Sequence, residues 1–119
     1  MAERSMPAFS KSPPGLVERF AAILDRYPEA QQKKMFGYSA AFVGGNMATS
    51  LFADRWVVRL TPDEIESARA AGAGPFEPMA GRPMKGFVVV PEADVDDDDR
   101  IVGWVERGLA TARAMPAKR

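Results

Sequence analysis

The chain has 119 residues, of which 46% are apolar, and its 16 basic side chains balance its 16 acidic ones. This length suits one domain with a sizeable core, and the balanced charge creates no overall field that would draw the protein to nucleic acid or to an anionic membrane. Because the chain contains no cysteine and no histidine, disulfides, thiol chemistry, the usual zinc sites and imidazole catalysis are excluded.

The N-terminal part predicts an arm followed by a helix. Residues 1–11 show no regular apolar spacing, and we expect a flexible arm there. Ser12 can cap the helix, Pro13 suits its first turn and Pro28 ends it. The apolar residues recur at helical spacing and form one stripe, which we expect to face the core. They are Leu16, Phe20, Ile23, Leu24 and Tyr27.

The stretch 33–60 predicts three short antiparallel strands. Gly44-Gly45-Asn46 can adopt the positive φ angles that the first reversal needs, and Asp54-Arg55 forms the second. Residues of the third strand alternate between an apolar face and the opposite face, which is typical of a half-buried strand. The first face receives Trp56, Val58 and Leu60, and the other receives Val57 and Arg59.

A second helix and a second hairpin follow. Thr61 can cap the backbone amide of Glu64, whose side chain can reach back to the threonine, and Gly72 can close the helix in the left-handed conformation. Strands are then predicted over residues 76–79 and 84–90, with the turn between them.

The acidic run from Asp94 to Asp99 predicts the start of a last helix, because carboxylates interact favourably with the free amides of a helix N-terminus. Its spacing does not fit a calcium loop. Trp104 lies on the apolar stripe of this helix, and we expect both tryptophans, Trp56 and Trp104, in the core. Arg113 lies in the last turn of the helix.

These elements predict an α+β fold of two layers. The order is helix, three strands, helix, two strands, helix, and the simplest arrangement is a five-stranded antiparallel sheet with helices mainly on one face. We assign residues 12–115 to this single domain and residues 116–119 to a basic tail. No segment is apolar enough for a signal-peptide core or a membrane span, so we expect a cytoplasmic protein.

The sequence offers little chemistry. It has no phosphate-binding fingerprint and no supported nucleophile, so we expect no enzyme, no cofactor and no metal site. What remains is a set of basic residues near strand ends, either ordinary solvated surface or a patch for carboxylate or phosphate. The set is Lys33, Lys34, Arg59, Arg82 and Lys85. Arg59 and Lys85 could share the face away from the helices, and Arg82, in a turn, is the residue of this set that we most expect to contact a partner.

Several short segments are distinctive together. They are Lys34-Met35-Phe36-Gly37, the Gly44-Gly45-Asn46-Met47 turn, Asp54-Arg55 with Arg59-Leu60, the run 75–86, Val90-Pro91, and a helix that contains Trp104 and ends in Ala112-Arg113. In this order they resemble the N-terminal domain of the TfoX/Sxy competence regulators over roughly residues 15–115.

The resemblance implies a non-enzymatic regulator. Such proteins act in transcription of DNA-uptake genes alongside the cyclic-AMP receptor protein, so the implied partner belongs to the transcription machinery. The resemblance implies no catalytic residues in this chain. Full-length members have a second, C-terminal domain, and because this chain ends at Arg119 we expect a stand-alone domain.

Two functions stay open. The first is a regulatory or protein-interaction module, which could form a homodimer. The alternative is a small-ligand or nucleic-acid binding domain that uses the basic set. A pocket on which Arg59, Arg82 and Lys85 converge would favour a ligand, whereas a flat apolar face or an exposed edge strand would favour a protein partner.

Overall fold

A computed structural model describes residues 11–35, 37–77, 81 and 84–117 of the chain. Most of the predicted arm, Arg82 and the last two residues of the predicted tail therefore lie outside the described residues. The elements are α1 (Pro14–Leu24), β1 (Gln31–Met35), β2 (Tyr38–Val43), β3 (Asn46–Phe52), β4 (Arg55–Arg59), α2 (Pro62–Ala70), β5 (Gly74–Pro75), β6 (Phe87–Val89), α3 (Glu92–Val95) and α4 (Asp98–Ala114).

The strands form one antiparallel sheet in the order β1-β2-β3-β4-β6-β5. All four helices of the described residues contribute to a single apolar cluster on one face of this sheet, together with Trp56, Val58 and Leu60. The prediction of an α+β fold with helices on one face is confirmed, and so is the alternation along β4. Trp56 is completely buried and Trp104 is 6% exposed, as expected for core residues.

The sheet has six strands where five were predicted, and the additional strand is β1. All five of its residues are exposed, and its sequence, QQKKM, contains no alternation of apolar and polar residues. Strand periodicity arises when one face of a strand is buried, so a strand without a buried face leaves no such signal. Gly37, with a φ of 85°, makes the turn to β2, and Met35 pairs with Tyr38.

The hairpin predicted over residues 75–90 has shorter strands than expected, and its first strand begins earlier. Its strands are β5 and β6, and Phe76 and Glu77 follow β5 outside the sheet, while residues 78 and 79 lie outside the described residues. Gly86 has a φ of 86° immediately before β6, a left-handed conformation that cannot continue a strand. Pro75 suits β5 because a proline, which has no N–H to donate, is tolerated on an edge strand.

The N-termini of the helices differ in how their free amides are capped. The N-cap of α1 is Pro13 rather than Ser12, and no side chain caps it. In α2 the predicted capping box is present: Thr61 Oγ1 accepts from the Glu64 amide at 3.2 Å, and Glu64 Oε1 accepts from the Thr61 amide at 3.0 Å. The acidic run divides between α3 and α4, and the carboxylate of Asp97 caps α4 by accepting from the Arg100 amide at 3.0 Å.

The last helix packs closely on the middle of the sheet at Gly108. A Cβ atom at this position would lie 2.5 Å from the backbone oxygen of Ala48 on β3. The absence of a side chain at Gly108 therefore sets the distance between α4 and the sheet. A bulge in β3 near Ala48, where the register with β2 shifts, lies at the same place.

Candidate functional site

The face of the sheet opposite the helices carries a second apolar cluster, and we call it the helix-free face. No helix of the described residues contributes to this cluster. Its buried members are Ala40, Met47, Val57, Phe76 and Phe87, and half-buried Phe42, Phe52 and Val89 pack against them. The central strands are thus apolar on both faces. On the helix-free face, the rings of Phe42 and Phe52 are partly exposed to solvent.

Aromatic rings run across this face in a continuous series. The ring centroids of Tyr38 and Phe52 are 5.0 Å apart, those of Phe52 and Phe76 5.3 Å, and those of Phe76 and Phe87 6.4 Å. Phe76 joins the series from the connection that follows β5. Tilted and edge-on contacts at these distances are the favourable geometry for aromatic pairs, so the rings support one another as a rigid group.

Arg59 lies at the end of β4 with its guanidinium over this cluster. The guanidinium carbon is 4.5 Å from the ring centroid of Phe87, and Nε donates to the backbone oxygen of Met47 at 2.6 Å. Burial lowers the pKa of Arg59 from its ordinary value, as expected for a cation partly withdrawn from water. The packing and the hydrogen bond together hold this cation in one place.

The two lysines of β1 are separated by the pleat of the strand. Lys33 is in register with Ala40, a member of the second cluster, and its Nζ is 5.4 Å from the ring centroid of Phe42. Successive strand residues point to opposite faces, so Lys34 lies on the helix side. Both lysines are exposed.

Lys85 is exposed in the turn before β6. It lies beside the end of β4, because the Leu60 amide donates to the oxygen of Gly86 at 2.9 Å. Of the five predicted basic residues, the structure brings Lys33 and Arg59 to one face and directs Lys34 to the other, while Lys85 lies in a turn beside the end of β4. Arg82 lies outside the described residues, so its predicted contact stays a prediction.

Sequence reasoning missed the apolar part of the face. Met35 and Met84 are 37% and 39% exposed, which is high for large apolar side chains. Met35 pairs with Tyr38 and so shares its face, and the Met84 amide donates to the oxygen of Phe76 at 2.7 Å. The sequence does contain Met35 next to two lysines, an apolar side chain among charges. This pattern indicates an exposed apolar residue only when β1 is recognised as a strand.

A cleft of about 740 Å³ lies near the start of α1, the β3–β4 turn and α3. Arg19 in its wall is 2.8 Å from Asp98, while its Nε has no hydrogen-bond partner among the described residues. The lining combines both charges, Arg19 and Arg55 against Asp54, Glu92 and Asp96, and it includes neither Arg59 nor Lys85. The predicted basic set therefore does not converge on this cleft.

Polar side chains in the helix-side core are occupied by structural bonds. Thr49 Oγ1 accepts from the indole nitrogen of Trp56 at 2.8 Å and donates to the Val57 oxygen at 2.6 Å. In the acidic run, Asp94 accepts from the indole nitrogen of Trp104 at 2.9 Å. Within the described ranges, no three carboxylates are grouped so that they could hold a metal ion.

Comparison with known proteins assigns the family. None of the helices in the described part of the chain is long and apolar enough to cross a membrane. A search of curated protein sequences gives no significant match. The family model of the TfoX N-terminal domain matches residues 22–112, from within α1 to the last turn of α4. Since this match covers most of the chain, the protein belongs to the TfoX N-terminal domain family.

Proposed function

We propose that this domain is a cytoplasmic, non-enzymatic regulatory module that binds another protein on its helix-free face. The observation that carries the proposal is the surface of that face. Partly exposed Phe42, Phe52 and Val89 continue outwards from a packed cluster, and Met35 adds an exposed apolar side chain. Apolar area of this kind, bordered by polar and charged groups, is typical of a surface that a protein partner covers.

Family membership supports the regulatory part of the proposal. The resemblance to the TfoX/Sxy regulators implies an action through other proteins of the transcription machinery, and the first partners to test are therefore in that machinery. A non-enzymatic role is supported by how the polar side chains are used. Thr49, Asp94 and Asp97, which carry groups that a catalyst could use, serve as hydrogen-bond partners of tryptophan indoles and a helix terminus.

Site-specific photo-crosslinking tests the proposal. A photoreactive phenylalanine analogue is placed at position 35 on the helix-free face and, as a control, at position 110, which is exposed on α4. Both variants are expressed in the native cell, and crosslinked proteins are identified by mass spectrometry. The captured protein is then purified and titrated with the parent domain and with Met35→Glu.

The proposal predicts capture at position 35 and not at position 110. It also predicts direct binding of the purified partner to the parent domain and weaker binding to Met35→Glu, because a carboxylate would replace an apolar contact. Equal capture at the two positions, capture at position 110 alone, or unchanged binding of Met35→Glu would contradict the proposal.

A further inference from the structure

The charges of this neutral chain are separated between its two layers. The six strands of the described residues contain four basic residues and no acidic residue. The four helices contain nine acidic residues and five basic ones. All four helices cover the other face of the sheet, so the helical layer has an excess of acidic groups, while the only charged residues of the described strands are cations. A zero net charge therefore conceals a negative excess in the helices and a positive excess in the strands.

Arg59 is held ready to bind an anion on the helix-free face. Its Nε donates to the backbone oxygen of Met47 and its guanidinium carbon lies over the Phe87 ring, whereas no described residue accepts a hydrogen bond from its two terminal Nη groups. A guanidinium fixed in this way loses little conformational freedom when it binds, and its planar donors match a carboxylate. Partial burial strengthens such a pair, because the surroundings screen it less than water does.

Lys33 supplies a second cation on the same face. Lys33 on β1 is aligned across the sheet with Ala40 on β2, Ser50 on β3 and Val57 on β4. Arg59 lies two residues beyond Val57, so the two cations are separated by three strand spacings and two residues along β4. With ~4.8 Å between strands and ~3.3 Å per residue, their Cα atoms are roughly 16 Å apart. Aromatic and apolar side chains of the second cluster lie between them, including half-buried Phe42 and buried Met47.

We infer that the segment bound on the helix-free face is an acidic protein segment, with two carboxylates that reach Lys33 and Arg59 and large apolar side chains between them. The inference rests on the proposed function and specifies the chemistry of its partner. About five residues in extended conformation or three turns of helix would cover the distance.

The arrangement of the rings favours a protein over a single-stranded nucleic acid. Proteins that bind bases on a sheet present open aromatic faces on which the bases stack. Here Lys33 lies over Phe42 and Arg59 lies over Phe87, and the other rings pack on one another. The cations therefore occupy the places that bases would need, while the exposed thioether of Met35 adapts well to apolar side chains of a protein.

Peptide titration tests the inference with the full chain. The first probe is a labelled peptide of about twelve residues in which one side of the extended chain carries two Glu residues with Leu and Phe between them and the other side carries Ser, long enough to span both cations. The second replaces every Glu by Gln, and the third is an oligothymidine of similar length. Binding is followed by fluorescence anisotropy and located by amide chemical shifts.

The neighbouring lysines provide a matched pair of variants. Lys33→Glu and Lys34→Glu make the same change of net charge on the same exposed strand, but only Lys33 is on the helix-free face. We expect the Glu peptide to bind, the Gln peptide to bind more weakly, and Lys33→Glu to weaken binding about fivefold or more, as for a lost charge pair. Lys34→Glu should stay within about twofold of the parent, and the shifts should map to Phe42 and Phe87.

Three outcomes would overturn the inference. They are equal binding of the Glu and Gln peptides, equal losses in the two lysine variants, and tighter binding of oligothymidine than of the Glu peptide. The crosslinking experiment separates these failures from failure of the proposed function. A partner captured at position 35 that lacks an acidic segment would leave the protein-binding function standing and refute only the partner chemistry.

Discussion

Among single residues, the hydroxyl of Thr49 connects the two strands at the centre of the sheet. It accepts from the indole of Trp56 and donates to the backbone of Val57, and both Thr49 and Trp56 are completely buried. A buried donor that loses its acceptor costs more than the bond contributed, because it cannot turn to water instead.

We therefore expect Thr49→Val to lower the free energy of unfolding by about 1–3 kcal/mol, since the shape is kept while the indole N–H is left without an acceptor. Thr49→Ser is the control, because it keeps the hydroxyl and loses only one methyl group, worth about 1 kcal/mol or less. Chemical denaturation followed by tryptophan fluorescence measures both. A Thr49→Val variant more stable than Thr49→Ser would contradict this role of the hydroxyl.

A second residue-level prediction concerns Glu29 and acid. Arg113 binds the Glu29 carboxylate through two hydrogen bonds, one of them from Nε to Oε1 at 2.9 Å, and this bonding lowers the pKa of Glu29. A carboxyl whose pKa is lower in the folded state contributes stability above its unfolded pKa, and that contribution disappears as the pH falls through the folded pKa.

Glu29→Gln should therefore be less stable than the parent at neutral pH, and the difference should shrink as the pH is lowered below the ordinary glutamate range. Glu77→Gln removes an exposed carboxylate that has no ion pair among the described residues, and it serves as the control. The measurement is a series of denaturant titrations at several pH values. A difference that stays constant or grows towards acid would show that the ion pair is not its cause.

Among the elements, α4 contains two glycines with opposite roles. At Gly108 an added Cβ would meet the backbone of Ala48, whereas at Gly103, which is exposed, it would meet nothing. Gly108→Ala should destabilise the fold by about 1–3 kcal/mol, because the helix must move away from the sheet. Gly103→Ala should stabilise it by about 0.5–1 kcal/mol, because alanine favours the helix.

Thermal and chemical unfolding of the two alanine variants checks this prediction, and each variant is the control for the other. Opposite changes in stability would support the close approach of α4 to β3. Similar changes of the same sign would mean that helix propensity alone decides the effect and that the contact at Ala48 is not tight.

The elements also show what the sequence could and could not predict. Spacing of apolar residues identified α1, α2 and α4, because each of these helices buries one face only. It also identified the alternation along β4, but it did not show that this strand is buried on both faces. It gave no sign of β1, which buries no face. It also did not separate the two clusters in β2 and β6, because strands that are apolar on both sides read as continuous runs.

The candidate site was predicted in part for the same reason. Lys33 and Arg59 were noticed as charges near strand ends, but their common face depends on the register of four strands, which pairing in space determines. The split between Lys33 and Lys34 required β1. The close contact of Gly108 gave no signal at all, since a glycine inside a helical pattern does not reveal what it faces.

For the whole molecule, the two clusters make the centre of the sheet its most protected part. Residues of β4 are buried towards both faces: Trp56 and Val58 belong to the helix-side cluster and Val57 to the other. Amides of β3 and β4 should therefore exchange with solvent only through global unfolding, whereas those of β1 exchange through local opening. Hydrogen exchange followed by NMR measures this difference.

The destabilised Thr49→Val variant gives the matched test. It should reduce protection in β3 and β4 by the full loss of unfolding free energy and leave β1 nearly unchanged, because local opening does not depend on global stability. Equal reduction in all strands would mean that the sheet opens only as one unit.

The edges of the sheet have a consequence for how this protein behaves in a crowded cell. One edge is β1, with Lys33 and Lys34, and the other is the two-residue β5, which contains Pro75. Lysines and prolines at edges oppose the pairing of strands from separate molecules, the step that leads to fibrils. The domain can thus leave an apolar face partly exposed to solvent while its borders resist aggregation.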